Sequence, residues 1–182
     1  MPELPEVETT KRGIEPYLKN QSIIKILVRQ KSLRIPFNDN LKKHITKVKI
    51  KNIKRRAKYI VINFVNEYSM VIHLGMTGNL RASQQKKFLK HDHIIFHLES
   101  GNSLIFNDVR RFGLIQIYKT SDSFYLLDNN GPDPFENKAD ADYLYERIKN
   151  SSASIKSILL NHKIISGIGN IYASEILFST NI

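Results

Sequence analysis

The chain has 182 residues, enough for one compact domain or for one domain and part of a second. With 41% apolar and 25% charged residues it has the balance of a folded protein rather than a disordered tail, and the absence of cysteine excludes disulfides, cysteine-held zinc and thiol nucleophiles from these residues. Its 28 Lys and Arg against 17 Asp and Glu leave a formal charge of +11, which points to a polyanionic partner, most often nucleic acid.

The opening segment MPELPEVETT is acidic and lacks the apolar stretch of a signal peptide. Residues 5–19 place Val7, Ile14 and Leu18 near one helical face, which predicts an amphipathic helix. Pro5 suits its first turn, and Glu3, Glu6 and Glu8 complement the positive end of the helix dipole. From there the pattern shifts to short runs rich in Ile and Val: 22–28, 45–53, 58–65, 69–75, 92–98, 102–108 and 113–119. Several alternate apolar and polar residues, as half-buried strands do. Asn66-Glu67 and Ser100-Gly101 mark hairpin turns. Strands at this spacing predict an antiparallel sandwich or flattened barrel. Gly131–Pro134 (GPDP) reads as a loop and as the boundary between domains 1–130 and 131–182. Beyond it, 138–149, 153–162 and 170–178 read as helices. No run approaches the ~20 apolar residues of a membrane helix. The fold class is therefore α+β: a helix on a two-layer antiparallel β-sandwich, followed by a helical region.

Several residue patterns carry chemistry. Removal of Met1 would free the secondary amine of Pro2. An α-amine titrates near about 8 against about 10.4 for lysine, so much of it is unprotonated at neutral pH. Such an amine can attack an aldehyde-level carbon and form an imine. Glu3 and Glu6, three apart, can face the same side as acid, base or orienting group. Proline at position 2 and acids in a first turn are also ordinary features of a helix start. Lys58 lies beside Arg55 and Arg56 in a positive field suited to phosphate, though a basic strand end needs no ligand. Met76 sits in a turn between Gly75 and Gly78, where it projects or packs into the core. His91, Asp92 and His93 resemble a metal cluster but lack an evident fourth ligand, so no metal is assigned there. Gly167-Ile168-Gly169-Asn170 opens the last helix, with Asn170 at or near the N-cap, a pattern that suits a phosphate.

MPELPEVETTKRGIEPYL resembles the N-terminus of bacterial formamidopyrimidine-DNA glycosylases. The similarity continues through RRAKYIVI (55–62), HLGMTGNLR (73–81), KHDHIIF (90–96), DVRRFG (108–113), NGPDPF (130–135) and GIGNIYASEILF (167–178). Leu4 favours this oxidised-purine branch over the endonuclease VIII group, which usually starts with PEGPE. The resemblance implies a β-sandwich followed by a helix-two-turns-helix domain. It implies a bifunctional glycosylase and AP lyase that removes 8-oxoguanine and formamidopyrimidines from duplex DNA and cuts the strand by β- or δ-elimination. Pro2 would be the Schiff-base nucleophile, Glu3 the proton donor to the sugar, Glu6 part of the same pocket and Lys58 the donor in β-elimination. Met76, Arg110 and Phe112 would fill the gap left by the extruded base, with Arg110 also bonding the orphaned cytosine. Arg111 would reach phosphate or a carboxylate such as Asp108. His73, His91 and Asn170 would contact DNA, and Asp92 would brace the site. Ser151–Ser154 stand where relatives often carry a lysine-rich stretch, so Ser152 receives no phosphate role. The family's C-terminal zinc finger of four cysteines has no counterpart here. The chain thus reads as a C-terminally truncated, monomeric, cytoplasmic protein, with a non-catalytic damaged-DNA-binding remnant or a pyrimidine-directed relative as alternatives.

Overall fold

A computed structural model describes residues 1–84 and 87–182. Helix α1, Leu4–Leu18, starts where the sequence places it: Pro5 lies in the first turn, where its missing N–H has no intrahelical partner to lose. Leu4, Val7, Ile14 and Leu18 are its buried face. Pro16 lies inside the last turn, and the chain leaves the helix at Lys19 and turns at Asn20, φ +62°.

Among the described residues eight strands follow: β1 Ile23–Val28, β2 Ile50–Arg56, β3 Tyr59–Phe64, β4 Tyr68–His73, β5 Asn79–Ser83, β6 Asp92–Leu98, β7 Ser103–Asn107 and β8 Leu114–Lys119. They form two four-stranded sheets, β1-β6-β7-β5 and β2-β3-β4-β8. Within the first, β6 pairs antiparallel with both β1 and β7; within the second, β4 does so with β3 and β8. These inner strands are almost wholly buried, which explains their continuous apolar runs. Their inward side chains, including Ile62, Met70, Ile72, Phe96 and Phe106, form one core with Val7, Ile14 and Leu18 of α1. The expected α+β sandwich is the observed one.

Two expectations within the sheets change. The run 45–53 is not one strand, because Asp39–His44 forms a 3-10 turn and Lys47 adopts φ +61°, which breaks the extended backbone before Ile50. Strand β5 lies where no strand is expected.

The chain divides into two units, Met1–Arg55 with Tyr59–Asp122, and Arg56–Lys58 with Ser123–Ile182. The second contains α2 Tyr125–Asp128, α3 Ala141–Ile148, α4 Ile155–Leu159 and α5 Asn170–Ser179. Asp140 caps α3 by accepting from Tyr143 N–H at 2.8 Å, and Ser154 caps α4. Helix α4 ends earlier than expected, because the carbonyls of His162 and Ile164 accept from Gly131 N–H and the Tyr143 hydroxyl, each at 2.8 Å, instead of continuing a helical ladder. Leu159, Ile165, Ile168 and Ala173 form its small core.

The GPDP segment is densely hydrogen-bonded. Buried Asp133 accepts from Ala57 N–H at 3.1 Å and Ser166 Oγ at 2.9 Å. The Arg56 guanidinium donates to the carbonyls of Asn130 at 2.9 Å and Gly131 at 2.8 Å, and pairs with Glu136 at 2.9 Å. The Asp133 N–H bond and the cations Lys138 and Arg56 hold the Glu136 carboxyl below its usual pKa. By contacts, the second unit also takes in the residues from Ser123 up to GPDP.

Candidate functional site

The start of α1 sets the first group of candidates. Glu3 is the N-cap and only 2% exposed. It forms a capping box with Glu6, whose Oε2 accepts the Glu3 N–H at 2.8 Å. The two carboxylates are therefore locked one turn apart at the positive end of the helix. Half-buried Pro2 precedes them, and Met1 before it is exposed. Downstream on α1, Glu8 pairs with Lys11, Arg12 and Arg55. Burial raises the Glu8 carboxyl pKa, but these cations outweigh it and leave the pKa below the ordinary value.

The second group lies on two adjoining turns of the same unit. The first follows β4 and carries Met76; the second precedes β8 and carries Arg110, Arg111 and Phe112. Met76 and Phe112 are 43% and 45% exposed, so neither is a core residue. The Arg110 guanidinium stacks on the Phe112 ring at 4.6 Å. Arg111 is exposed and holds φ +58°. It does not pair with Asp108, whose carboxylate accepts instead from Thr77 Oγ1 at 2.6 Å and Gly113 N–H at 2.8 Å. His73 Nδ1 accepts from Gly75 N–H at 2.9 Å, which places the proton of the neutral ring on Nε2.

Gly75 is required by geometry. Its φ is +65°, and a Cβ there would lie 2.5 Å from both Gly113 N and Phe112 C. Gly75→Ala is expected to destabilise the protein by about 2 kcal/mol or more, because the left-handed conformation costs about 1–2 kcal/mol and displaced backbone adds to it. The urea-unfolding midpoint checks this.

His91 precedes β6, with its ring edge-on to His93 at 6.1 Å. His93 is committed elsewhere, its Nε2 lying 2.6 Å from the Asp108 carbonyl, and His97 Nδ1 meets Ser103 Oγ at 3.0 Å. Asp92 is wholly buried and forms a two-pronged pair with Arg81. Lys58, half-buried, and Asn170 belong to the second unit. Gly169 takes the N-cap of α5, and Asn170 next to it is the exposed first residue. Arg55 pairs with Glu8, which Lys11 and Arg12 share, and Arg56 pairs with Glu136 and donates to two carbonyls. Sequence reasoning missed Thr77 and Arg81. The only signal for Thr77 was a hydroxyl inside a glycine-flanked turn. The zinc finger implied by the resemblance finds no thiolate donors among these residues, which contain no cysteine.

Residues 1–115 match the formamidopyrimidine-DNA glycosylase N-terminal domain, and residues 130–182 match the formamidopyrimidine-DNA glycosylase H2TH domain. A formamidopyrimidine-DNA glycosylase of Wolbachia pipientis subsp. Culex pipiens is 42% identical over 183 aligned residues, covering 100% of this chain and 68% of the relative. One from Pasteurella multocida is also 42% identical, covering 100% and 67%. Among solved structures, Lactococcus lactis Fpg complexed with DNA containing N7-benzyl-Fapy-dG gives a TM-score of 0.91 at 32% identity, covering 100% of this chain and 68% of that one. The same enzyme bound non-covalently to AP-site DNA gives a TM-score of 0.91 and is covered to 70%.

Proposed function

The chain belongs to the formamidopyrimidine-DNA glycosylase family of base-excision repair, and from that premise we propose that it excises oxidised purines from duplex DNA and then cleaves the strand as an AP lyase. The observation that carries this reading is Pro2, behind an exposed Met1 and beside buried Glu3, in the same unit as the exposed Met76, Arg110 and Phe112.

Once Met1 is removed, the Pro2 nitrogen attacks C1′ of the damaged nucleotide, the glycosidic electron pair leaves with the base, and the Pro2 N–H proton is given up to the departing base. Glu3 gives a proton to the sugar ring oxygen; the ring opens and a C1′ iminium forms. Its fixed positive charge acidifies C2′–H. Loss of that proton expels the 3′ phosphate oxygen with its electron pair, which is β-elimination, and water releases Pro2. Glu6 holds the Glu3 main chain in place. Lys58 serves as proton donor in the elimination. Met76, Arg110 and Phe112 occupy the vacated stack and offset part of the unstacking cost of a few kcal/mol. His73, His91, Arg111 and Asn170 contact the DNA backbone. The protein acts as a monomer on chromosomal DNA in the bacterial cytoplasm.

The test is borohydride trapping with a duplex carrying 8-oxoguanine opposite cytosine, using protein whose mass shows Met1 removed. The expected result is a covalent protein–DNA adduct that a thymine-glycol duplex competes for poorly. No adduct at low salt would overturn the catalytic reading and leave DNA binding alone.

A further inference from the structure

We propose that Thr77 and Asp108 form a latch that couples the Met76 turn to the Arg110–Phe112 turn, so that the two enter DNA as one body. The proposal deepens the glycosylase reading and rests on it for the role of the three side chains.

Asp108 is fully buried and both its carboxylate oxygens are engaged, by Thr77 Oγ1 at 2.6 Å and Gly113 N–H at 2.8 Å. The Thr77 hydroxyl has one proton, which goes to Asp108, and its lone pair accepts Arg110 N–H at 3.2 Å. The carboxylate therefore bonds both turns, and one hydroxyl closes the ring between them. From the sheet side, His93 Nε2 pins the Asp108 carbonyl at 2.6 Å. Gly75 and Gly113 let the two backbones touch; a Cβ on Gly75 would lie 2.5 Å from Gly113 N.

Met76 and Phe112 are nearly half exposed, so core packing does not set their positions. Their spacing is inherited from the backbones that carry them, and the latch joins those backbones. A charge-assisted O–H···O⁻ bond of this length is among the stronger hydrogen bonds available to a protein. Breaking it leaves each turn to relax alone, and a displacement of about 1 Å can cost roughly a hundredfold in a step that depends on geometry. Thr77 and Asp108 are positioning residues: they act through the three inserting side chains and touch no reacting atom.

The experiment compares wild type, Thr77→Val and Thr77→Ser. Valine keeps the shape and removes the hydroxyl; serine keeps the hydroxyl. Borohydride trapping is measured on the 8-oxoguanine duplex and on a single strand carrying an abasic site, where no base need be extruded. The duplex-to-single-strand ratio is expected to fall about tenfold or more in Thr77→Val and to recover in Thr77→Ser. In parallel, 2-aminopurine opposite a non-reactive abasic analogue reads insertion without chemistry; its fluorescence rise on binding is expected to shrink in Thr77→Val alone. An unchanged ratio with unchanged fluorescence overturns the latch. Equal losses on both substrates, with normal fluorescence, also overturn it and leave a purely structural role. Failure of wild type to trap, with its fluorescence response intact, counts against Pro2 and leaves the fluorescence comparison to decide the latch.

Discussion

Protein that retains Met1, for example behind an uncleavable N-terminal extension, is expected to lose borohydride trapping by at least about a thousandfold, the scale on which loss of a covalent nucleophile is felt. With Met1 attached, the Pro2 nitrogen is part of a tertiary amide. Its lone pair is delocalised into the carbonyl and cannot attack carbon. Removal of one residue turns the same atom into a secondary amine at the N-terminus of α1, where the helix dipole disfavours a positive ammonium. Nothing else at the site need change: the capping box uses the Glu3 N–H and the Glu6 carboxylate, neither of which involves Met1. Extended and processed protein are therefore expected to share a melting temperature and to bind an abasic-analogue duplex comparably, while only the processed form is trapped. Trapping by the extended form would remove Pro2 from the mechanism and point to a lysine.

The largest stability effect is expected at Asp92. Its carboxylate accepts from Arg81 at 3.0 and 2.8 Å, from Asn107 Nδ2 at 2.8 Å and from Leu89 N–H at 2.8 Å, with no exposure to solvent. Asp92→Ala strips four bonds at once and leaves the guanidinium of Arg81 without its counter-charge, which is expected to cost about 3–5 kcal/mol. Burial by itself raises the Asp92 carboxyl pKa. Arg81, Asn107 and the Leu89 N–H more than offset this, so the folded pKa lies below the unfolded one. The contribution to stability is thus fully present above the ordinary carboxylate range, near about pH 4, and is lost as the pH falls through the folded value. Urea unfolding of wild type at pH 7 and pH 3 is expected to show this loss, and Asp92→Asn a flatter dependence. Equal pH slopes in both would contradict it. The same carboxylate organises the turn before His91. Arg29 completes that turn by donating to Leu89 O at 2.7 Å and Asp92 O at 3.1 Å, so the variant is also expected to weaken DNA binding.

Much of the fold is legible in the chain. The period of Val7, Ile14 and Leu18 marks α1, and the Ile- and Val-rich runs mark seven of the eight strands. Burial imposes these patterns position by position, so they survive without knowledge of partners. Strand β5 does not show, because Asn79–Ser83 buries only Leu80 and is extended by its pairing with β7. The site divides the same way. Pro2, Glu3, Glu6, Met76, Arg110 and Phe112 stand in segments whose order resembles a known family. Which cations are left over for DNA does not show in sequence, because a charge is used or spare only once its neighbours are placed.

The linear order of residues determined the α+β class, the basic character and the N-terminal proline with its acids, since each depends on local pattern or composition. Tertiary structure alone decided that Arg55 and Arg56 pair with Glu8 and Glu136 and that Asp133 of GPDP accepts from the distant Ala57 N–H. It alone decided that Asp108 joins two turns some thirty residues apart in the chain, Thr77 and Asp108 being separated by 31 positions. Hydrogen bonds and ion pairs act over about 3 Å, and no sequence spacing encodes which distant groups folding brings within that reach.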